Sequence, residues 1–190
     1  MKKATPRKPP EPWYRSGLPE LRCDRVRLRE VCDEDAPPLA ILFARPEVSA
    51  HLSPPPATEE AFLDWIRLFR SKRAEGQATC YALIEDGEHP AGIFMSYRTN
   101  ASEPTAEVGF AMAPHLWGTG IFCPTALVFV DFLFAQWNVT SLTGRTLVRN
   151  HRALGAMRKL GAIIVEETQR DGKPELIWTI RRDDDSPSRR

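Results

Sequence analysis

Cysteine and histidine are few in this 190-residue chain, and neither follows a metal-binding or disulfide pattern. The four cysteines include no C-x-x-C pair, and the four histidines include no H-E-x-x-H motif. Isolated cysteines of this kind are typical of reduced intracellular thiols, whereas secreted small domains and zinc sites use paired spacings. We therefore expect no disulfide framework, no metal site and a cytoplasmic location.

Long apolar runs and excess charge of one sign are also lacking. The one extended apolar run, residues 121–135, is shorter than the roughly 20 residues that a bilayer requires, and Asp131 interrupts it. A helix that is apolar on nearly all sides is instead typical of a domain interior. The formal net charge of +1 provides no overall attraction to nucleic acid or acidic lipid. We expect a soluble protein without a nucleic-acid or membrane partner.

Length and composition favour a single domain. The hydrophobic content of 42% supports a buried core, and single cores commonly span about 100–200 residues. We predict a flexible, basic and proline-rich tail at residues 1–20, one domain at residues 21–182 and a polar tail at residues 183–190. The first segment has no apolar core of the kind that a signal peptide carries. Docking of Trp13 and Tyr14 on the domain or on a partner is the alternative for this tail.

Periodicity predicts a mixed α/β domain. Helical patterns begin near Asp33, Thr58, Ile121 and Arg152, and hairpin-type turns are indicated at residues 86–87 and 171–172. Seven strands are predicted, at residues 26–29, 79–85, 91–97, 105–112, 142–148, 163–167 and 176–180. Elements in this order predict an α+β fold with a central mixed, mostly antiparallel sheet and helices on both faces.

Trp117, Gly118, Thr119 and Gly120 stand between a predicted strand and the apolar helix. Glycines at such a junction leave the first helical amides accessible, and the helix dipole favours a phosphate there. A dinucleotide fingerprint would require glycine at Cys123, and the phosphate loop G-x-x-x-x-G-K-[ST] is absent from the sequence. Taken alone, the two glycines are equally consistent with an ordinary strand-to-helix turn.

A second motif, Asn150-His151-Arg152-Ala153, opens a short helix thirty residues after Gly120. In this order and spacing, the loop and the Asn-led helix resemble the acyl-CoA-binding half of the GNAT superfamily of N-acetyltransferases. The likeness covers about residues 26–180. It extends to the branch that acetylates N-terminal amines of ribosomal proteins, whose loop has the form W-G-x-G. Phe122 departs from the small residue usual at the end of the loop, which predicts a narrower or shifted loop.

The resemblance implies that acetyl-CoA is the co-substrate and assigns ten residues to its binding. Amides of the loop and the helix start would hold the pyrophosphate. The strand before the loop would pair with the pantetheine arm, and one of its N–H groups would polarise the thioester carbonyl. The ten residues are Phe110, Ala111, Met112, Trp117, Gly118, Thr119, Gly120, Ile121, Phe122 and Asn150. From the residues alone, the strand is equally an ordinary core strand and Asn150 equally a helix N-cap.

Glu107 is the candidate catalytic base, acting directly or through water. It shares a predicted strand face with Gly109 and Ala111, and the resemblance supports a glutamate in this strand. Deprotonation at pH 7 costs about 1.2 kcal/mol for an α-amine and about 4.6 kcal/mol for lysine, which favours an N-terminal amine as acceptor. The alternative for Glu107 is a solvated surface carboxylate.

Two further residues depart from the family pattern. Met157 stands where many members have a tyrosine acid, and Ala153 where some members of the ribosomal branch have a serine. Two functions therefore stay open. One is an acetyl-CoA-dependent N-acetyltransferase in which a primary amine, of a peptide or protein N-terminus or a small molecule, attacks directly in a ternary complex. The other is a degenerate relative that binds acyl-CoA or a partner without catalysis. The acceptor would be contacted by three regions, namely residues 51–56, the first two helices and the last hairpin. The resemblance implies a monomer or a homodimer.

Overall fold

The structure, a computed structural model, describes residues 12–85, 87–98, 104–137 and 139–182. Within these residues the strands are β1 (Leu21–Cys23), β2 (Val26–Glu30), β3 (Ala78–Ile84), β4 (Gly92–Tyr97), β5 (Thr105–Met112), β6 (Ser141–Leu147), β7 (Ile163–Arg170) and β8 (Lys173–Arg181). The α-helices are α1 (Trp13–Ser16), α2 (Ala36–Phe43), α3 (Pro46–Ser49), α4 (Glu59–Ala74), α5 (Phe122–Gln136) and α6 (His151–Lys159). Asp86 of the predicted hairpin turn, residues 1–11 of the predicted first tail and the predicted tail at residues 183–190 lie outside the described residues.

The eight strands form one sheet in the order β1-β2-β3-β4-β5-β6-β8-β7. Neighbouring strands pair antiparallel except β5 and β6, which pair parallel. The predicted mixed, mostly antiparallel sheet is therefore confirmed, with one strand more than the seven predicted. The additional strand, β1, has three residues and pairs with β2 at the sheet edge, so it is too short to produce a periodic signal.

Helices cover both faces of the sheet, as predicted. One buried cluster joins the sheet to α5 and α6, and the other joins the opposite face to α2, α3 and α4. The even-numbered residues of β5, such as Ala106 and Met112, belong to the α5 side, whereas Ala111 belongs to the other side. This assignment confirms the predicted alternation along the strand. In the part of the chain that the structure describes, no helix is long and apolar enough to cross a membrane.

Helix α1, before β1, contributes Trp13 to the core. Trp13, in α1, is 8% exposed and packs edge-on against Phe132 and Trp137, at ring-centroid distances of 6.0 and 5.9 Å. Its indole N–H donates to the carbonyl of Gln136 at 3.2 Å. Trp13 is therefore docked on the domain, which is the alternative considered for this segment.

A close approach of backbone and indole joins β6 to β8. A Cβ atom placed on Gly144 would lie 2.1 Å from Cζ2 of Trp178, a buried side chain whose Nε1 donates to Thr146 Oγ1 at 3.0 Å. We expect Gly144→Ala to lower the free energy of unfolding by about 1–3 kcal/mol, because the indole must leave its packed position. Chemical denaturation measures this effect. The control is Gly155→Ala in helix α6, where an added Cβ would meet no atom within 4 Å, so this substitution should raise the free energy of unfolding. Equal effects of the two substitutions would contradict the packing argument.

Candidate active site

Strands β5 and β6 pair over three residues and then separate. The paired residues end at Glu107 with Thr143, whereas β5 continues to Met112 and β6 to Leu147. Two cavities, of about 400 and 550 Å³, meet at this gap. The residues that line both are His51, Leu52, Phe110, Ala111, Asn150 and Ala153. We call the first the loop cavity, because Trp117, Gly118 and Gly120 border it, and the second the β5 cavity, because Glu107 lies in it.

The glycine loop has a backbone shape that suits glycine. Gly118 and Gly120 have φ values of +76° and +87°, and a Cβ atom at either would meet open space. Thr119 supports the turn by donating its hydroxyl hydrogen to the Leu116 carbonyl at 2.8 Å. Helix α5 begins directly afterwards, at Phe122, so its first amides have no partner within the helix and border the loop cavity. The predicted juxtaposition of glycine loop and helix start is confirmed.

Trp117 joins the loop to both neighbouring elements. Its indole N–H donates to the carbonyl of Met112 at 3.0 Å, and the guanidinium of Arg152 lies over its ring, 4.1 Å from the centroid. A cation over an indole ring is stabilised by the ring quadrupole. This stack holds Arg152 at the wall of the loop cavity. Lys159 of the same helix lines the same cavity. The cavity therefore combines two cations with the amino end of α5, an arrangement that suits an anion.

Main-chain groups of β5 face the gap at alternate residues. The N–H of Ala113 donates to the carbonyl of Ala91 at 2.7 Å, and residues 107–112 continue the same antiparallel register with β4. Because bonding directions alternate along a strand, Ala111 also directs its main-chain groups to β4, whereas Phe110 and Met112 direct theirs to the gap. The Met112 carbonyl already accepts a hydrogen bond from the Trp117 indole. The main-chain groups left to pair with a ligand that lies in the gap like an extra strand are therefore those of Phe110 and the N–H of Met112.

Phe122 fills space beneath the loop cavity. Its ring lies 4.5 Å from that of Phe110 and 5.9 Å from that of Phe94, between centroids. The large residue at the end of the loop is therefore accommodated by an aromatic cluster on the α5 side of the sheet. The first turn of α5 forms normally, with the Thr125 amide bonded to the Ile121 carbonyl at 3.3 Å.

Asn150 caps helix α6 and lines both cavities. Its side-chain oxygen accepts from the Ala153 amide at 3.1 Å, so the N-cap alternative is confirmed. Ala153 also lines both cavities, whereas Met157 is 3% exposed and packs into the core beneath the helix. The position at which many relatives carry a tyrosine acid is therefore buried away from the cavities in this chain.

Glu107 lies at the β5 cavity. Its side chain is 22% exposed, and Arg145 Nε lies 3.9 Å from one of its oxygens. Tyr97 is paired with it in register on β4. Burial first, and the interaction with Glu107 second, raise the pKa of the Tyr97 hydroxyl, which therefore stays protonated. The carboxylate is thus half-buried between a cation and a phenol hydroxyl.

A buried ion pair braces the far wall of the β5 cavity. Glu175, 2% exposed, lies 3.1 Å from Arg170 Nε and 3.8 Å from Arg145. Arg170 donates in addition to Ser53 Oγ and to the carbonyl of His51, both at 2.9 Å. These bonds connect the last hairpin to residues 51–53. Both regions were expected to contact an acceptor, and both line the β5 cavity.

Most of the predicted site residues meet at these cavities. Thr119 and Ile121 line neither of the two; Thr119 supports the loop and Ile121 is 7% exposed in the core. The other candidates line at least one, namely Glu107, Phe110, Ala111, Met112, Trp117, Gly118, Gly120, Phe122 and Asn150. The sequence predicted acceptor contacts for residues 51–56 and for the last hairpin but gave no individual role to His51, Tyr97 or Arg170. No local pattern marks these three residues, because distant elements bring them together.

Metal ligands do not cluster in the described residues. No group of three or more His, Cys, Asp or Glu side chains there is arranged to hold a metal ion. The chemistry available at the gap is therefore that of main-chain donors, two cations on α6, a carboxylate and an imidazole.

Comparison with known proteins agrees with this geometry. A family profile described as an acetyltransferase (GNAT) domain matches residues 25–163. The chain is 22% identical over 142 residues to an uncharacterized N-acetyltransferase, p20, of Bacillus licheniformis, which covers 74% of this chain and 80% of that protein.

Solved structures share the fold. The ribosomal-protein-S5-alanine acetyltransferase from Vibrio fischeri superposes with a TM-score of 0.77 at 17% identity, over 89% of this chain and 100% of that one. Mycobacterium smegmatis RimJ in complex with CoA-disulfide gives 0.75 at 16% identity, over 86% of both chains. With the profile match spanning most of its length, the chain belongs to the GNAT family of acetyltransferases and is an acyltransferase.

Proposed function

We propose that this protein is an acetyl-CoA-dependent N-acetyltransferase. It transfers the acetyl group to a primary amine, with a peptide or protein N-terminus as the leading acceptor class, by direct attack in a ternary complex. The observation that carries the proposal is the meeting of two cavities at the gap between β5 and β6, with six residues lining both. Two substrates that react directly must be held side by side, and such a junction provides that proximity.

The residues of the loop cavity fit acetyl-CoA. Arg152, Lys159 and the amino end of α5 supply positive charge for its phosphates. Gly118 and Gly120 leave the backbone open to close approach, since a Cβ at either would project into free space. Farther along, Phe110 and the Met112 N–H offer main-chain groups for the amides of the pantetheine arm.

The β5 cavity supplies the acceptor side of the reaction. Glu107 attracts an ammonium group to the end of the gap and takes its proton, directly or through water. An α-amine releases that proton at a lower free-energy cost than lysine, about 1.2 against about 4.6 kcal/mol at pH 7. The relatives named as ribosomal-protein acetyltransferases support the same acceptor class.

Release of free CoA tests the proposal. The full chain is incubated with acetyl-CoA and a panel of peptides with free or blocked N-termini, lysine side-chain amines, polyamines and aminoglycosides. We expect turnover with free N-termini and little with blocked ones. CoA binding by calorimetry without turnover on any amine would indicate a binding protein, and absence of both would overturn the cofactor assignment.

The glycine loop gives a matched pair of variants. Gly120 and Gly161 both have positive φ, +87° and +77°, and both face open space, but only Gly120 borders the loop cavity. Alanine in that conformation costs about 1–3 kcal/mol. We expect Gly120→Ala to weaken CoA binding about tenfold or more in calorimetry, since the loop must leave its shape or clash with the phosphates. Gly161→Ala should lower stability by a similar amount with unchanged CoA affinity, and equal affinity losses would contradict the loop assignment.

A further inference from the structure

His51 is an imidazole at the junction of the two cavities. It follows helix α3, at the start of residues 51–56, and lines both the loop cavity and the β5 cavity. No other titratable side chain lines both of them within the described residues. The gap between β5 and β6 opens beside it, where the two substrates of the proposed function would meet.

The backbone around His51 is held from two directions. Arg170 of β7 donates to the His51 carbonyl at 2.9 Å, and Arg149, before α6, donates to the Ala50 carbonyl at 2.6 Å. These bonds to charged donors connect the segment to strands on the far side of the gap. The backbone that carries the imidazole is therefore held beside the gap.

Charge around the ring favours its neutral form. Burial, and then Arg149, Arg152 and Arg170, lower the pKa of the His51 imidazole below its ordinary value. The other charged groups that line the loop cavity are Glu47 of α3 and Lys159 of α6. Since the pKa is lowered, the ring is neutral at pH 7 and able to accept a proton, and it readily gives that proton up again.

One ring nitrogen has no partner. Nδ1 is inaccessible to solvent and makes no hydrogen bond within the described part of the chain. An atom without accessible surface cannot take a proton from a ligand, so Nε2, the ring nitrogen that is not enclosed in this way, is the one that the cavities can reach. Glu107, by contrast, already has Tyr97 and Arg145 as neighbours.

We propose that His51 is the proton-transfer residue of this acetyltransferase, moving a proton from the attacking amine to the departing thiolate. The inference rests on the proposed function and extends it, because Met157 and Ala153 cannot supply the acid that relatives carry at those positions. Glu107 holds the amine at the end of the gap, and His51 completes the transfer beside it.

The transfer balances without a further reactant. The amine nitrogen forms a bond to the thioester carbonyl carbon, and the carbon–sulfur bond breaks. Glu107 takes the first proton of the ammonium group, which makes the nitrogen a nucleophile. The second proton, lost after attack, goes to Nε2 of neutral His51, and the resulting imidazolium gives it to the thiolate sulfur. An amide and a thiol are the products, and His51 returns to its neutral form.

Two variants test this role. His51→Asn keeps a polar group near the position of Nδ1 but removes Nε2 and cannot accept a proton, and His51→Ala leaves space for added imidazole. We expect kcat to fall roughly 10²-fold in both, with KM for acetyl-CoA unchanged within about threefold. The wild-type kcat should decline on the acid side with a midpoint below about 6.5, and this limb should disappear in both variants. Added imidazole should restore part of the activity of His51→Ala.

The control is His89→Gln, an exposed histidine between β3 and β4 that lines neither cavity. It should leave kcat and the pH profile unchanged. Full activity of His51→Asn, or an unchanged acid limb in a folded variant, would overturn the proton-transfer role while leaving the proposed function intact. Absence of wild-type turnover would instead remove the proposed function itself.

Discussion

Glu107→Gln is expected to reduce kcat by about 10²–10⁴-fold, the usual contribution of a positioned proton acceptor. The amide occupies nearly the same volume as the carboxylate, so the cavity should keep its shape. What is lost is the negative charge that attracts an ammonium group at the end of the gap. Steady-state kinetics with a peptide acceptor measures kcat and KM, and calorimetry should show unchanged CoA affinity.

Glu166→Gln is the matched control for this substitution. Glu166 is an exposed glutamate on β7 and lines neither cavity, so its replacement should leave kcat unchanged. Equal activity of wild type and Glu107→Gln, with only stability altered, would show that the carboxylate has a structural role. That outcome would favour a reaction in which the acceptor amine enters the β5 cavity already neutral.

Trp13→Ala is expected to lower the free energy of unfolding by about 3–5 kcal/mol. The side chain is 8% exposed, packs against Phe132 and Trp137, and donates to Gln136, so its removal leaves a cavity and an unpaired carbonyl. For a chain of this size each kcal/mol lowers Tm by about 2–4 °C. Calorimetric or circular-dichroism melting measures the shift.

Trp13→Phe should recover part of the loss, because a smaller ring keeps edge-on packing but not the hydrogen bond. Ile41→Ala is the surface control; Ile41 is 72% exposed, and its replacement should change stability by less than about 0.5 kcal/mol. Since Trp13 lines neither cavity, kcat well below the melting temperature should be retained. A melting temperature equal to that of wild type would mean that α1 does not pack on α5 in solution.

Local patterns account for the parts of the fold that could be predicted. Alternation identified β5, and the glycine pair before an apolar run identified the start of α5 within one residue. The N-cap role of Asn150 could be predicted from the sequence, because its capping bond joins it to an amide only three residues away. These features depend on contacts close in sequence, which are encoded in the segment itself.

Features formed by distant residues could not be predicted. Trp13 contacts residues more than a hundred positions later, and its own segment is rich in proline and charge. His51 is one of four scattered histidines in the sequence, and its neighbours Arg149 and Arg170 are about a hundred residues away. The partners of Glu107 likewise come from β4 and β6. The secondary structure of each segment could be predicted from its own residues, whereas the charges around a side chain could not, because they come from distant segments.

The shared wall between the two cavities makes binding at one site thermodynamically linked to binding at the other. Any displacement of Asn150 or Phe110 by a molecule in the loop cavity changes the surface that the β5 cavity presents. By reciprocity, the factor by which the first ligand changes the affinity of the second equals the factor in the opposite direction. A compound that spans both cavities would gain the binding free energies of both sites. It would lose translational and rotational entropy only once, so it should bind more tightly than either part alone.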